Sequence, residues 1–232
     1  YDQMIHDIMI QNLDVLLAID RAGIVGADGE THQGIYDISF LRILPNIVLM
    51  TPSNEQELWT MLNTGLKYKG IGAVRYPRGF TEGLDLDLND ECLQIGKSRT
   101  IVRGSKIAYL VFGTLLNEVT EVAINNGATV IDMRFVKPID EKKIIAICQT
   151  HEYIFTIEDN VILGGAGSAV TEVVNKNSIT KNIVNLGVPD NIIPHGNQNE
   201  ILSDLGLDAK GIIQSTNDHI KRVENLNKKI NI

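Results

Sequence analysis

Cysteine is scarce: the 232-residue chain has two, Cys92 and Cys148. That is too few for a disulfide framework, and neither belongs to a CxxC pair. No HxxxH spacing occurs either, so a zinc site is not expected. What remains is a pair of reduced thiols in a cytoplasmic protein. Basic charge is also short. Lys and Arg number 21 against 29 Asp and Glu, for a net charge of −8. That balance argues against a nucleic-acid-binding face, although local basic residues would still suffice for a small phosphate. No apolar run approaches the roughly 18 residues of a membrane-spanning helix, so no membrane partner is expected. Initiator methionine and signal peptide are both missing, as are internal repeats and low-complexity tracts. The chain opens inside a helical pattern, with Tyr1, Met4, Ile5, Ile8 and Met9 on one face. The expectation is a piece of a longer protein.

With 44% hydrophobic and 22% charged residues, the composition is that of a globular chain, and its length suits one large domain or two small ones. Short apolar runs alternate with helical patterns. Val15–Ile19 is a strand expected to be buried on both faces. Ile47–Met50 is the next, and Ser53 with Gln56 has capping-box spacing at the head of a helix whose stripe is Leu58, Met61, Leu62 and Leu66. Ala73–Tyr76 is a third strand. Between Gly79 and Gly96 the composition turns acidic (Glu82, Asp85, Asp87, Asp90, Glu91) and reads as an exposed connection. Beyond it, Arg99–Val102 and Ile107–Phe112 are strands around a Gly104–Ser105 turn. A helix capped by Thr114 ends at Gly127, Ala128–Met133 is a strand, and Asp140 opens a helix. Tyr153–Ile157 and Ile183–Leu186 are strands, and the C-terminus is helical. The fold class expected is α/β, with two domains of mainly parallel sheets flanked by helices. The first domain is 1–80, the linker 81–97 and the second domain 98–232.

Three segments carry candidate chemistry. Asp20–Asp37 (DRAGIVGADGETHQGIYD) follows a strand, where open α/β sheets place ligands. Gly23, Gly26, Gly29 and Gly34 let backbone approach a ligand, and Arg21, Asp28 and His32 offer an anion fork, a hydroxyl acceptor and a proton-transfer group. A flexible surface loop is the competing reading, though loops this long in compact domains are often functional. The second segment, Arg75-Tyr76-Pro77-Arg78-Gly79, ends another strand. If the two strands are neighbours, Arg21 and one of these arginines would flank one phosphate; otherwise this is a solvated strand end. In the third, Gly164-Gly165-Ala166-Gly167-Ser168, the spacing is not GxGxxG and Glu158-Asp159 intervene, so it reads as tight strand–helix packing rather than a dinucleotide loop. His6 reads as a packed or hydrogen-bonded residue, and His151, His195 and His219 carry no assigned chemistry.

DRAGIVGADGETHQGIYDISFLRILPNIVLMTPSNEQEL and then AVRYPRG resemble the 1-deoxy-D-xylulose-5-phosphate synthases, transketolase-like thiamine-diphosphate enzymes. VIDMRFVKPID, TIEDNVILGGAGSAVTEVV and LGVPDNIIPHGNQNEIL with LGLDAKGI extend the resemblance from Tyr1 to about Ile213. Transketolases have a similar DG-x-TH segment, and 2-oxo-acid dehydrogenase β-type subunits share the domain order, but both match these motifs less well. The resemblance implies condensation of pyruvate with glyceraldehyde 3-phosphate with loss of CO2, using thiamine diphosphate and magnesium. The product feeds isoprenoid, thiamine and pyridoxal precursor synthesis in the bacterial cytoplasm or plastid stroma. It implies a homodimer, with this chain holding the later part of the pyrimidine-binding domain and the transketolase C-terminal-like domain. By motif, Arg21 and Arg78 would hold the aldehyde's phosphate, Asp28 would contact substrate hydroxyls, and His32 would face the cofactor-bound intermediates. Arg75 would be structural.

The family's glutamate and its GDG metal–diphosphate motif would lie upstream of Tyr1, so no cofactor or metal ligand is assigned here. The fragment alone is expected to be inactive without the missing N-terminal portion. Phe80 and His195 depart from the family pattern, and neither is expected to touch the site. A split transketolase, a 2-oxo-acid dehydrogenase β-type subunit and a non-catalytic module of the same fold stand as alternatives.

Overall fold

Short apolar runs bounded by glycine become parallel strands when helices cover both faces, and this chain builds two such sheets. The structure is a computed structural model that describes residues 1–79, 81 and 83–230; Phe80 lies outside the described residues. A π-type helix, Met4–Met9, lays Met4, Ile5, Ile8 and Met9 against the core. The first sheet contains β1 (Val15–Ile19), β2 (Ile47–Met50) and β3 (Ile71–Arg75), with helices α1 (Asp37–Leu41) and α2 (Glu55–Lys67) between them in the chain. The second contains β4 (Arg99–Val102), β5 (Ile107–Phe112), β6 (Thr129–Asp132), β8 (Tyr153–Val161) and β9 (Ile183–Val188). Helices α3 (Leu116–Asn126), α4 (Glu141–Thr150), α5 (Ala166–Lys176), α6 (Gln198–Asp204) and α7 (Ala209–Ile230) belong to this half. The remaining strand, β7 (Phe135–Lys137), follows β6 in the chain but leaves that sheet. It pairs antiparallel with β2, Met50 opposite Phe135, and closes the first sheet as β1-β3-β2-β7.

The second sheet has the order β4-β6-β5-β8-β9, parallel except for β4. β4 and β5 are therefore not a hairpin, because β6 lies between them. Gly104 makes this possible: its amide donates to Thr129 Oγ1 at 2.9 Å, and a Cβ there would meet Gly127 O at 2.1 Å. A single apolar cluster runs through both sheets, from Leu49 and Ala73 to Leu110, Phe112 and Ile131, and continues into α4 and α5. The other face of the second sheet packs on α3 and α7 through Val119, Val122 and Ile212.

Four expectations are corrected. Helix α3 is not capped by Thr114: its N-cap position is Leu115, with no side-chain cap. β1 is an edge strand with half-buried residues and an exposed Ala18, not a strand buried on both faces, since β3 pairs with it on one side only. Helix α2 is capped by Asn54, whose side chain accepts from the Glu57 amide at 2.9 Å. Ser53 instead donates to Asp132 of β6 at 3.2 Å. The buried face of α2 is Glu57, Thr60, Met61, Thr64 and Gly65, while Leu66 is 70% exposed. Leu58, Met61 and Leu62 of the expected stripe do pack against the cluster formed with Val48, Val74 and Phe135; Leu66 alone falls off it, and Gly65 meets β1 instead, where a Cβ would sit 2.5 Å from Leu16 Cδ1. Thr60 and Thr64 tolerate burial because their hydroxyls donate to carbonyls one turn back, Gln56 O and Thr60 O.

The acidic connection is a strap rather than a loose linker. Gln56, Trp59, Asn63 and Lys67, spaced along one face of α2, bind the backbone of Asp87, Asn89, Asn89 and Asp90. Glu57 then ties α2 to the second half through Arg134 (2.6 Å) and Arg99 (3.1 Å).

Candidate active site

β1 and β3 are parallel neighbours with Ile19 opposite Arg75, so their carboxyl ends deliver two loops side by side. Tyr76 N donates to Ile19 O and Ala22 N to Tyr76 O, both at 2.9 Å, which carries the pairing past the strands. The first loop is pinched shut by Gly23 and Gly34, each amide donating to the other's carbonyl (2.7 and 3.0 Å). Inside the pinch, Val25 N donates to Gln33 Oε1 at 2.8 Å, and a short 3-10 turn, Glu30–His32, follows Gly29. A residue with φ of 55° turns the chain into this loop, and it is Arg21.

The two loops meet at Asp28. Arg21 Nε donates to Asp28 Oδ2 at 3.2 Å and Arg21 Nη1 to Asp20 at 2.9 Å, while Arg78 Nη1 donates to Asp28 Oδ1. The Asp28 side chain is 22% exposed, against 44% for Arg21 and 59% for Arg78. The Arg78 guanidinium, helped by Arg21, holds the Asp28 carboxyl below the usual carboxylate range. Two forked cations aimed at one three-atom anion is also how a phosphate monoester is held. Of the four predicted residues, the structure thus brings Arg21, Asp28 and Arg78 into contact. His32 is exposed on the same loop, with Nδ1 against Thr31 Oγ1 at 2.8 Å.

The turn that carries His195 packs on the loop. Gly196 N donates to Gly26 O at 3.2 Å and Gln198 Nε2 to Ile24 O at 2.6 Å. A Cβ on Gly29 would lie 3.4 Å from His195 Cβ. The turn backs the segment that carries Asp28, a contact across some 170 positions with no local sequence signal.

Beneath the loop lies a group the sequence concealed. Arg75 is buried, with Nε donating to Asp37 at 2.7 Å, Nη1 to Asp159 at 2.5 Å and Nη2 to Gly34 O at 3.2 Å. Burial opposes its charge, but Asp159 and Asp37 more than offset that and hold its pKa above the ordinary value. On either side of Asp159 on β8, Glu158 and Asn160 are fully buried. Asn160 accepts from the Ile38 amide at the head of α1, at 3.3 Å. Glu158 accepts from the Ala166 and Gly167 amides at the head of α5 (2.7 and 2.8 Å), and burial pushes its carboxyl up to about 8. The glycines of the 164–168 run are packing residues: a Cβ on Gly165 would meet Glu158 Oε2 at 2.4 Å, and one on Gly167 would meet Thr156 Oγ1 at 2.4 Å.

Among the described residues, no group of three or more His, Cys, Asp or Glu could hold a metal ion. The buried acids are engaged by arginines and helix amides. No described helix is long and apolar enough to cross a membrane.

Residues 1–82 match the family model of the transketolase pyrimidine-binding domain, and 96–212 match that of the transketolase C-terminal domain. The 1-deoxy-D-xylulose-5-phosphate synthase of Idiomarina loihiensis is 54% identical over 96% of this chain and 36% of its own length. That of Pasteurella multocida is 58% identical over 91% of this chain and 34% of its own. The chain thus spans about a third of the curated relatives it matches. Among solved structures, a split-gene transketolase, described as an inactive beta4 tetramer, superposes with a TM-score of 0.82 at 23% identity, over 94% of this chain and 70% of that one. The transketolase of Campylobacter jejuni gives 0.65 at 16% identity, over 85% and 30%. These two share the fold. On the family models and the relatives together, the chain belongs to the transketolase family.

Proposed function

We propose that this chain is the C-terminal portion of a 1-deoxy-D-xylulose-5-phosphate synthase and supplies its aldehyde-phosphate side. The reaction read for the assembled enzyme is condensation of pyruvate with glyceraldehyde 3-phosphate with loss of CO2. The observation that carries this is the convergence of Arg21 and Arg78, from loops after neighbouring parallel strands, on the single carboxylate of Asp28. In this reading the aldehyde's phosphate takes the two guanidiniums, which fixes the acceptor carbonyl for attack and makes the encounter effectively intramolecular. Asp28 orients the guanidiniums and then accepts from a substrate hydroxyl. His32, exposed on the same loop, moves a proton at the substrate oxygen.

Thiamine diphosphate supplies the carbanion chemistry. Its ligands and a magnesium ion would come from the remainder of the enzyme, so this chain needs that upstream portion. We read residues 1–80 and 98–232 as the two domains, joined by 81–97. By the same resemblance the assembled enzyme is a homodimer of the cytoplasm or plastid stroma.

The test is formation of deoxyxylulose phosphate from pyruvate and glyceraldehyde 3-phosphate with thiamine diphosphate and magnesium, by this chain alone and with a matching upstream segment. Product only with the upstream segment is expected. Turnover of pentose-phosphate donors in place of pyruvate would reassign the chain to the transketolase reaction, and no turnover with either donor would leave a non-catalytic module.

A further inference from the structure

The site loop rests on a buried residue of the second sheet. Asp159 lies on β8 of the second sheet, and its carboxylate occupies the space above Gly23, where an added Cβ would lie 2.2 Å from Oδ2. Gly23 has a φ of 77°, so glycine suits both the turn and the carboxylate above it. Asp159 also holds Arg75 Nη1, and Arg75 Nη2 donates to Gly34 O. Gly34 in turn lies flat on the Arg21 backbone: a Cβ there would meet Arg21 O at 1.9 Å. The chain of contacts runs from Asp159 to Arg75, from Arg75 to Gly34, and from Gly34 to the carbonyl of a phosphate-binding arginine. Each link is backbone or a side chain buried on all sides, so a displacement at one end has little slack to dissipate in.

We propose that Arg75 and Asp159 are positioning residues for the Asp20–Tyr36 loop: the buried ion pair, anchored in the second sheet, sets where Arg21 and Asp28 stand. This rests on the reading of Arg21 and Asp28 as substrate-binding residues. It adds that their placement is fixed from the other half of the molecule. Asp37, the second partner of Arg75, keeps the guanidinium from turning away, and Gly34 O accepts the N–H that remains on the loop side.

The experiment compares Asp159→Asn with Glu158→Gln, its neighbour on β8. Glu158 feels the charges of Arg75 and Asp159, but its hydrogen bonds go to the Ala166 and Gly167 amides at the head of α5 and not to the Gly23–Gly34 backbone pair. Two readouts are taken: hydrogen exchange at the Gly23, Val25 and Gly34 amides in this chain, and KM for each substrate in the enzyme assembled with its upstream segment. Asp159→Asn is expected to speed exchange at the three amides. It should also raise KM for the aldehyde phosphate about tenfold with pyruvate KM unchanged, since misplacement by an ångström is enough for losses of that order. Glu158→Gln is expected to lower stability and loosen the Ala166 and Gly167 amides, leaving the loop amides and both KM values alone. Gly23→Ala approaches the pair from the loop side and should reproduce the Asp159→Asn signature. It also decides the matter if Asp159→Asn does not fold. Loop amides and aldehyde KM at wild-type values in the variants that fold would overturn the proposal, as would an equal effect of Glu158→Gln. If the wild-type assembly forms no product, the functional reading fails, and the exchange data still decide whether the pair places the loop.

Discussion

Arg75 and Arg78 are three residues apart in the same RYPR segment, and each binds aspartate. Arg75 is 2% exposed, between two carboxylates that are themselves buried. Arg78 is 59% exposed and shares Asp28 with Arg21. A buried ion pair has no competing water, and removing one partner strands the other charge in a poor solvent. An exposed pair is solvated whether or not it is made and contributes little to stability. The difference teaches what each arrangement suits. The inner cluster is committed to its partners and fixes geometry. The outer one, in the reading proposed above, exchanges a carboxylate for an arriving phosphate at small cost.

The comparison breaks most sharply at Arg75. Arg75→Met leaves Asp37 and Asp159 facing each other uncompensated and is expected to lower unfolding free energy by about 3–5 kcal/mol, read from urea denaturation. A loss no larger than that of an exposed pair would erase the distinction. Arg78→Ala is expected to leave the urea midpoint unchanged while raising KM for glyceraldehyde 3-phosphate at least about tenfold in the assembled enzyme, the loss of one charge-assisted contact. Equal effects on the aldehyde and pyruvate KM values would remove its phosphate role.

A third test uses acid–base linkage. Burial pushes the Glu158 carboxyl up to about 8 against 4.5 for the free side chain, so the folded state binds the extra proton between these values. Stability is then greatest below the free value and declines as pH rises toward 8. Glu158→Gln should flatten that decline in melting curves taken from pH 5 to 8, and an unchanged slope would assign it elsewhere. The smallest effect is expected at Asp28. Its carboxyl is held below the ordinary value, so it stays ionised at neutral pH and competes with any anion for the two arginines. Asp28→Asn should tighten inorganic phosphate binding a few-fold by calorimetry, and weaker binding would mean that Asp28 organises the fork more than it blocks it.

The site's outer shell was legible because its signals are local. DRAG and GADG fall in one loop and RYPRG closes β3, whereas the pairing of β1 with β3 was left open by the sequence, because β2 is just as apolar. The inner shell was hidden because Arg75 and Asp159 are 84 positions apart. The run Glu158-Asp159-Asn160 also reads as the end of a strand when it is the continuation of one. Polar residues in a fully buried strand become intelligible only once their partners are in place: helix amides, an arginine, and the first turn of α1. The leucine pattern of α2 held for Leu58, Met61 and Leu62 and misled at Leu66, for a related reason. How closely a helix approaches its sheet is a tertiary fact, and Gly65 rather than Leu66 meets it. β7 was missed because three residues carry too little periodicity to register, although Phe135 is among the most buried side chains.

That short strand has a consequence for how the protein is made. Met50 and Leu49 take their last neighbours from Phe135 and Lys137, so on the ribosome β2 waits with one edge bare for on the order of ten seconds at roughly 5–20 residues per second. An open apolar edge is a template for wrong partners, above all for another nascent copy of itself. The interval before Lys137 emerges is therefore when a chaperone would do most for this chain, and slow codons between positions 50 and 137 would be expected to lower the yield of folded protein.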